Sequence, residues 1–366
     1  MQATRPLTIG IDARAAAEVP AGRGRVVREL LRSLTDRDDP HRYLLFARER
    51  WPELAADERF DWRLITAGDP WWHLLAARAA NRECDVFLSS NSYLTVWFLR
   101  VPSVAIVYDM VAFEPGMGAN RRSALVERAT IAPALRRTKR LVAISEATRD
   151  ALVARYPRAA AITVVAPLGV SPRLEEIDPA EAAPLPQPGF VLAVGTLEPR
   201  KNLPRLVAAY QRLDRPTQQA HPLVVVGARG WQTGPTLQAL RSLEERAVLL
   251  GYVSDGALAE LYRRCAVFAY PSLGEGFGLP VLEAMAAGAP VLTSNLSSLP
   301  EVGGDAVAYV DPRDETSIAG VLTELLRSPD RRAQLAVAGR RRAATFSWDS
   351  FAERTLAAME AARDGR

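Results

Sequence analysis

Cysteine, histidine and long apolar runs are all scarce in this 366-residue sequence, and each shortage excludes something. The two cysteines, Cys84 and Cys265, stand far apart with no Cys-x-x-Cys or His-rich context. That rules against a disulfide framework or a zinc module and reads as buried thiols in a reducing compartment. The three histidines, His41, His73 and His221, show no ligand spacing. One Asp-x-Asp string, Asp36-Arg-Asp38, falls in a polar loop after a helical pattern, not at a strand end. No metal is therefore expected, and no other cofactor. No apolar run reaches the roughly 18 residues that a membrane span requires. Met1–Pro6 leads straight into a strand pattern, without the charged head, apolar stretch and cleavage site of an export signal. The expected location is cytoplasmic, with peripheral contact at the inner membrane face left open.

What is present is an ordinary globular composition, 48% apolar and 24% charged, in a chain long enough for two cores. The net charge of +4 is uneven, with 26 Lys/Arg against 22 Asp/Glu in residues 1–180 and 20 against 20 beyond. That bias is too weak for a nucleic-acid protein, and none is expected as a partner. It does leave room for an anionic partner on the first half. Short apolar runs alternate with helical patterns, which favours parallel sheets covered by helices. Strands are expected at Leu7–Asp12, Tyr43–Ala47, Asp85–Ser89, Val101–Tyr108, Arg140–Ile144 and Thr163–Ala166. Helices are expected at Arg25–Thr35, Arg121–Arg137 and Glu146–Tyr156. Pro179, Pro184, Pro186 and Pro188 then interrupt the chain, so 177–189 reads as a linker between a first domain, 1–176, and a second, 190–346. The second carries strands at Phe190–Val194, Pro222–Val226, Val248–Leu250, Ala266–Tyr270 and Pro290–Thr293. Its helices are Leu203–Leu213, Ala257–Arg264 and Val281–Ala287. In 347–366, Ser347 can cap a last amphipathic helix from Trp348, which either closes its own domain or crosses to the first.

The segment Ser272-Leu-Gly-Glu-Gly-Phe-Gly-Leu-Pro-Val-Leu-Glu283 follows an apolar strand and opens a helix. Pro280 suits the first helical turn and Gly288 the helix end. Gly274, Gly276 and Gly278 let the backbone come close to a ligand, and the helix N-terminus offers N–H groups to phosphate or sugar hydroxyls. Glu275 in the loop and Glu283, expected in the first helical turn, can accept bonds from hydroxyls. Taken alone, such a loop is equally a strand–helix turn with two solvated carboxylates. Its context adds to it. The first strand of the same domain runs into Gly195-Thr196-Leu-Glu-Pro-Arg-Lys-Asn202, which places Arg200 and Lys201 at a strand's carboxyl edge, where open α/β sheets bind ligands. Two cations there can neutralise a diphosphate and stabilise it as a leaving group. Gly251-Tyr252-Val253 closes a third strand-end loop suited to holding a base.

The Glu275-x7-Glu283 spacing, Glu198-Pro-Arg-Lys-Asn202 and Gly288-Ala-Pro-Val291 together resemble the retaining GT-B glycosyltransferases of family 4. Glu146-Ala-Thr148 and Phe346-Ser-Trp348 match that family too, so the resemblance covers nearly the whole chain. It implies two Rossmann-like doubly wound domains facing a central cleft, and a last helix that returns to the first domain. By the same resemblance Arg200 and Lys201 bind the donor diphosphate and Glu283 the ribose hydroxyls. Gly276, Phe277, Gly278 and Leu279 take the phosphate and sugar, and Glu275 contacts the transferred sugar. Thr196, Tyr252 and Val253 complete the expected donor site.

In the first half, Gly22-Arg-Gly24-Arg25 opens an Arg-rich helix and resembles the family's N-terminal glycine loop; a flexible surface turn is the alternative. Tyr108-Asp109 ends a strand where many relatives carry a His before the Asp, so a scheme needing that histidine does not transfer. Asp109 is a candidate for orienting the acceptor hydroxyl or accepting its proton, or else a cap at a strand end. Trp71-Trp72 and Trp97-Phe98, in loop-like contexts, are either stacking surfaces or core. Residues 119–140 hold seven Lys/Arg against one acid, Glu127, either a solvated face or a surface for anionic lipid.

The reading is a metal-independent retaining transferase. Its donor is a nucleotide-diphosphate sugar, GDP favoured over UDP on the resemblance to O-antigen mannosyl- and rhamnosyltransferases, and its acceptor is a glycan or a lipid-linked sugar. Rivals are a GT-B epimerase, which should show acid/base groups around the sugar, and a phosphorylase, which should show a pyridoxal-binding lysine. Neither pattern is present. Outside enzymes, a two-lobed solute-binding protein would carry an export signal.

Overall fold

The computed structural model describes residues 5–19, 22–114, 121–170 and 185–365, with the side chains of 121–123 left out. Among the described residues, thirteen strands follow in chain order. They are β1 (Thr8–Asp12), β2 (Arg42–Ala47), β3 (Phe60–Leu64), β4 (Val86–Ser89), β5 (Ser103–Val107), β6 (Arg140–Ala143), β7 (Thr163–Val165), β8 (Val191–Val194), β9 (Leu223–Val226), β10 (Ala247–Gly251), β11 (Val267–Tyr270), β12 (Val291–Ser294) and β13 (Ala308–Val310). They form two sheets, each wholly parallel, in the orders β3-β2-β1-β4-β5-β6-β7 and β10-β9-β8-β11-β12-β13. Central strands such as β5 (Ser-Val-Ala-Ile-Val) and β9 (Leu-Val-Val-Val) are buried along their whole length, because helices cover both faces of a parallel sheet.

In both sheets the strand order reverses beside the first strand, next to β4 in one and β11 in the other. Helical connections run to opposite sides of such a point, leaving an open crevice at the strands' carboxyl ends where α/β sheets take ligands. The fold is the two-domain α/β fold expected. Elements with weak apolar signals were missed: β3 is a half-buried edge strand, Phe-Asp-Trp-Arg-Leu, and β13 has three residues. The helices Glu315–Arg327 and Pro329–Ala343 were missed as well.

The described residues group into two compact units. One takes in those up to Phe113, Arg121–Gly169 and those from Ser347 onward; the other runs from Val170 to Phe346. Of the expected linker, 177–184 lies outside the described residues, and 185–189 forms no helix or strand.

The last helix, Trp348–Arg363, belongs to the first unit and packs on helix Arg23–Thr35 and strands β4 to β7. Ser347 caps it by accepting from the Ser350 N–H at 3.1 Å, and Phe351, Met359 and Ala352 are fully buried. Arg354 donates to the Val165 carbonyl at 2.9 Å, and Glu360 meets His41 at 3.1 Å. Gly169 is needed at this join, since a Cβ there would sit 2.3 Å from the Trp348 nitrogen.

Candidate active site

In the second unit, the loops that leave β8 and β11 flank the reversal point. The β8 loop makes a short 3-10 turn over Pro199–Lys201, which ends on Asn202 in the left-handed region, φ 61°. That conformation is costly for most residues but tolerated by asparagine, and the side chain stabilises it here. Asn202 donates to the carbonyls of Pro271 at 3.0 Å and Pro312 at 2.7 Å, tying the ends of β8, β11 and β13 together. This fixes Arg200 and Lys201 against the β11 loop. Gly195 makes room for Lys201, because a Cβ there would lie 3.2 Å from its Cε.

Lys201 Nζ lies 2.7 Å from Glu275 Oε1 and 2.5 Å from the Tyr270 hydroxyl. Arg200 pairs with the other oxygen of Glu275, bonds the Gly274 carbonyl at 3.2 Å, and reaches Glu198 Oε1 with its Nε at 2.5 Å. Ser272 Oγ (2.7 Å) and the Tyr270 hydroxyl (2.8 Å) also lie within bonding distance of Glu275 Oε1. Two cations and two carboxylates are thus held in one largely buried cluster.

Burial alone would push the Glu275 carboxyl up, but Arg200, Lys201 and the bonds from Lys201 and Ser272 outweigh it and hold it down at about 2. Burial and the adjacent Arg200 push Lys201 down, with Glu275 opposing. Burial pushes Glu198 up against the pull of both cations. Such a cluster holds two cations at a strand-end crevice, each already paired with carboxylate charge of the protein's own.

The other donor-site candidates are distributed as follows. Glu283 lies in helix Leu279–Ala287 at its fifth residue, a turn deeper than expected, because the helix begins before Pro280. It is buried, and the Tyr262 hydroxyl donates to its Oε2 at 3.3 Å. Gly278 is the N-cap, φ 109°, and of the three loop glycines it alone has positive φ. A Cβ on it would meet Leu299 at 2.7 Å, so Gly278 serves the chain's own packing. The Phe277 ring is buried edge-on against Phe346. Ser298 Oγ lies 3.0 and 2.8 Å from the carbonyls of Glu275 and Phe277, and Ser297 accepts from the Glu275 N–H at 2.9 Å, so the loop rests on the β12 end. Gly276 and Leu279 are half-buried in it. Thr196 and Tyr252 are exposed and Val253 half-buried, after β8 and β10. Glu198, Tyr270 and Ser272 were not singled out from sequence. Glu198 was part of a quoted motif, and only the fold reveals its ion pair.

In the first unit, helix Arg23–Thr35 starts two residues earlier than expected. Gly22 is its N-cap, φ 57°, with open space where a Cβ would be. Gly24 is inside the first turn and buried; a Cβ there would lie 1.8 Å from the Val19 carbonyl oxygen, so its absence allows helix and loop to pack. Arg28 donates to the carbonyls of Ala16 and Val19, both at 2.9 Å.

Asp109 accepts from the Val111 N–H at 3.0 Å, capping the turn Val111–Phe113 with one oxygen. The Tyr108 hydroxyl is buried and donates to the Ser90 carbonyl at 2.7 Å. Beside them opens a cavity of about 340 Å³ lined by Arg23, Asn91, Ser92, Tyr93, Tyr108 and Glu127, among others. Burial and the like charge of Asp109 push Glu127 up to about 7, with Arg23 opposing. Glu127 was noted in the sequence only as the lone acid of a basic run.

Trp71 and Trp72 do not lie in a loop. They begin helix Trp71–Glu83, with Trp72 fully buried under the Arg14 guanidinium, 3.6 Å from its ring. Trp97 and Phe98 lie in a 3-10 turn, Thr95–Phe98. Among the described residues no group of three or more His, Cys, Asp or Glu is placed to hold a metal ion, and no helix is long and apolar enough to cross a membrane.

Comparison with known proteins bears on the family and the fold. Residues 175–342 match the family model described as glycosyl transferases group 1, and residues 20–174 match that of glycosyltransferase family 4. The two matches adjoin and together take in most of the chain, which belongs to the GT-B glycosyltransferases of family 4. Among curated proteins it is similar to the O-antigen chain mannosyltransferase B of Escherichia coli, 36% identical over 230 residues, 61% of this chain and 60% of that one. The MMP alpha-(1->4)-mannosyltransferase of Mycolicibacterium hassiacum is 44% identical over 114 residues, 30% of this chain and 28% of that one. The match thus spans three-fifths or less of these relatives' own lengths. Among solved structures, sucrose-phosphate synthase from Thermosynechococcus elongatus superposes with a TM-score of 0.75 at 21% identity, covering 96% of this chain and 97% of that one. HepE of Anabaena, solved in complex with UDP-glucose, gives 0.75 at 18%, covering 96% and 99%.

Proposed function

We propose that this protein transfers a hexose, mannose or a rhamnose-like sugar, from a nucleotide-diphosphate sugar to a glycan or lipid-linked acceptor, with retention at the anomeric carbon and without a metal. The observation that carries the reading is the Arg200–Lys201–Glu275 cluster at the reversal point of the second sheet. As the bond from the anomeric carbon to the phosphate oxygen breaks, negative charge grows on the diphosphate, and both cations stabilise it without a metal ion. The acceptor oxygen joins the anomeric carbon from the face the diphosphate leaves, and its proton passes to the departing phosphate oxygen. Glu283 accepts the ribose hydroxyls, and the Gly276–Leu279 backbone meets the phosphate and sugar at the helix start. Glu275 holds the two cations in place and accepts bonds from the transferred sugar.

The relatives named as mannosyltransferases support mannose and, with it, GDP over UDP. The first-unit cavity supports acceptor binding by its own chemistry. Arg23, Glu127, two tyrosines and two small polar side chains around a space of sugar size suit a polyhydroxylated, uncharged ring. The test is thermal stabilisation by GDP and UDP, each with and without EDTA, followed by anomeric analysis of product from GDP-mannose. A ligand at 100 times its dissociation constant adds about 2.7 kcal/mol, which a melting curve resolves. No shift with either nucleotide, or a shift that EDTA abolishes, would overturn the donor site.

A further inference from the structure

Helix Trp71–Glu83 has an inner face and an outer one, and the fold uses only the inner. Trp72, Ala76, Ala77 and Ala80 are buried. Trp71, Leu74 and Leu75 point outward, Trp71 at 65% exposure. Arg78 and Arg82 continue the same stripe, since positions three and four apart share a helix face. The turn Thr95–Phe98 extends it. Asn81 bonds the Phe98 carbonyl at 3.0 Å and the Arg100 N–H at 2.6 Å, which places exposed Phe98 and Arg100 beside the helix.

The charges on this face are of one sign. Arg78, Arg82 and Arg100 are exposed, and none forms an ion pair among the described residues. Of the neighbouring carboxylates in sequence, Glu83 is neutralised by Arg63 at 2.7 Å and Asp69 by Arg48 at 2.7 Å, while Asp85, beyond the end of the helix, accepts the Thr8 N–H at 2.8 Å. The basic run 119–140 is less suited to the same task. The helix there ends at Leu135, Arg128 is turned in to the Ala112 carbonyl at 2.6 Å, and Arg137 donates to the Trp97 carbonyl.

Apolar side chains bordered by uncompensated guanidinium groups match the boundary between acyl chains and anionic headgroups. Tryptophan and leucine enter the boundary, and the arginines stay among the phosphates. A second copy is a poor occupant, because a two-fold contact would bring these cations against themselves. We infer that the outer face of helix Trp71–Glu83, with Phe98 and Arg100, docks this protein on an anionic lipid bilayer.

The test is co-sedimentation of the full chain with phosphatidylglycerol-containing vesicles and with pure phosphatidylcholine vesicles, at low and high salt and without nucleotide. Wild type should bind the anionic vesicles and release them as salt rises. The double variant Arg78→Gln/Arg82→Gln should bind about 30-fold more weakly, at about 1 kcal/mol for each cation. Leu74→Ser/Leu75→Ser should bind weakly even at low salt while melting as wild type does. The blue shift of tryptophan emission on binding should shrink in Trp71→Phe, a change that a purely structural role would not produce. Equal recovery of wild type and Arg78→Gln/Arg82→Gln would overturn the proposal, as would loss of binding in Arg136→Gln/Arg140→Gln alone. A concentration-dependent dimer broken by Leu74→Ser/Leu75→Ser, with no vesicle binding, would reassign the face to self-association. None of these failures bears on the donor site, which the assay does not use.

Discussion

Replacing Glu275 by glutamine leaves Arg200 and Lys201 crowded together with one buried negative charge removed. Glu275 is lowered from the ordinary 4.5 to about 2, which corresponds to about 3 kcal/mol of stability at neutral pH. The sign follows from the direction of the shift. A depressed carboxyl contributes fully above its unfolded value, near 4.5, and loses that contribution as pH falls through about 2. Glu198 still neutralises Arg200, and Ser272 and Tyr270 can still bond the amide oxygen, so complete unfolding is not expected. For a unit of this size, 3 kcal/mol lowers the melting temperature by about 6–12 °C. The decisive measurement is the response to a nucleoside diphosphate. If the ligand's phosphates occupy the place of the missing charge, GDP or UDP should stabilise Glu275→Gln more than wild type. Melting should be followed by tryptophan fluorescence at pH 7 and again near pH 3, where the gap between the two proteins should narrow. A variant that melts within a degree of wild type at pH 7, with an unchanged nucleotide shift, would refute the account of the cluster.

Lys201→Ala should fold but lose about 100-fold or more in turnover, because the contact to the leaving group proposed for it would be gone; near wild-type turnover from GDP-mannose would remove that role. Glu283→Ala should raise the donor KM with less effect on kcat, measured by steady-state kinetics, and should lose affinity for free GDP by calorimetry. Glu127 is pushed up to about 7, so the stability it contributes is full below about 4.5 and lost as pH rises through 7. Glu127→Gln should therefore gain stability over wild type at pH 8 and not at pH 4. Its acceptor KM should also stop changing across neutral pH while the donor KM stays put.

Much of the fold was legible in the sequence because parallel sheets buried on both faces read as uninterrupted apolar runs. Val-Leu-Ala-Val in β8 and Leu-Val-Val-Val in β9 leave little else to form. The edges were not legible. β3 alternates polar and aromatic residues on a half-buried edge, and nothing local separates that from a loop. Trp71-Trp72 was misplaced for a related reason. The burial of Trp72 under Arg14 depends on a contact 58 residues away in sequence, invisible to any window of periodicity.

The candidate site shows the same division between what is local and what is not. Arg200, Lys201 and Glu275 were identifiable because their motifs sit at strand ends, and the structure brings all three into contact. What could not be read was the price in charge. If the loop receives a diphosphate, as proposed, it must keep two cations together while empty, in surroundings where unpaired charge is costly. Glu275 and Glu198 solve this from opposite sides of the crevice, one from the β11 loop and one from the β8 loop. The Glu275 carboxylate is then more than a sugar contact. On the proposed function it is the negative charge against which the donor phosphates would compete, so donor binding should rearrange the pairs of Arg200 and Lys201 rather than fill a vacant positive site.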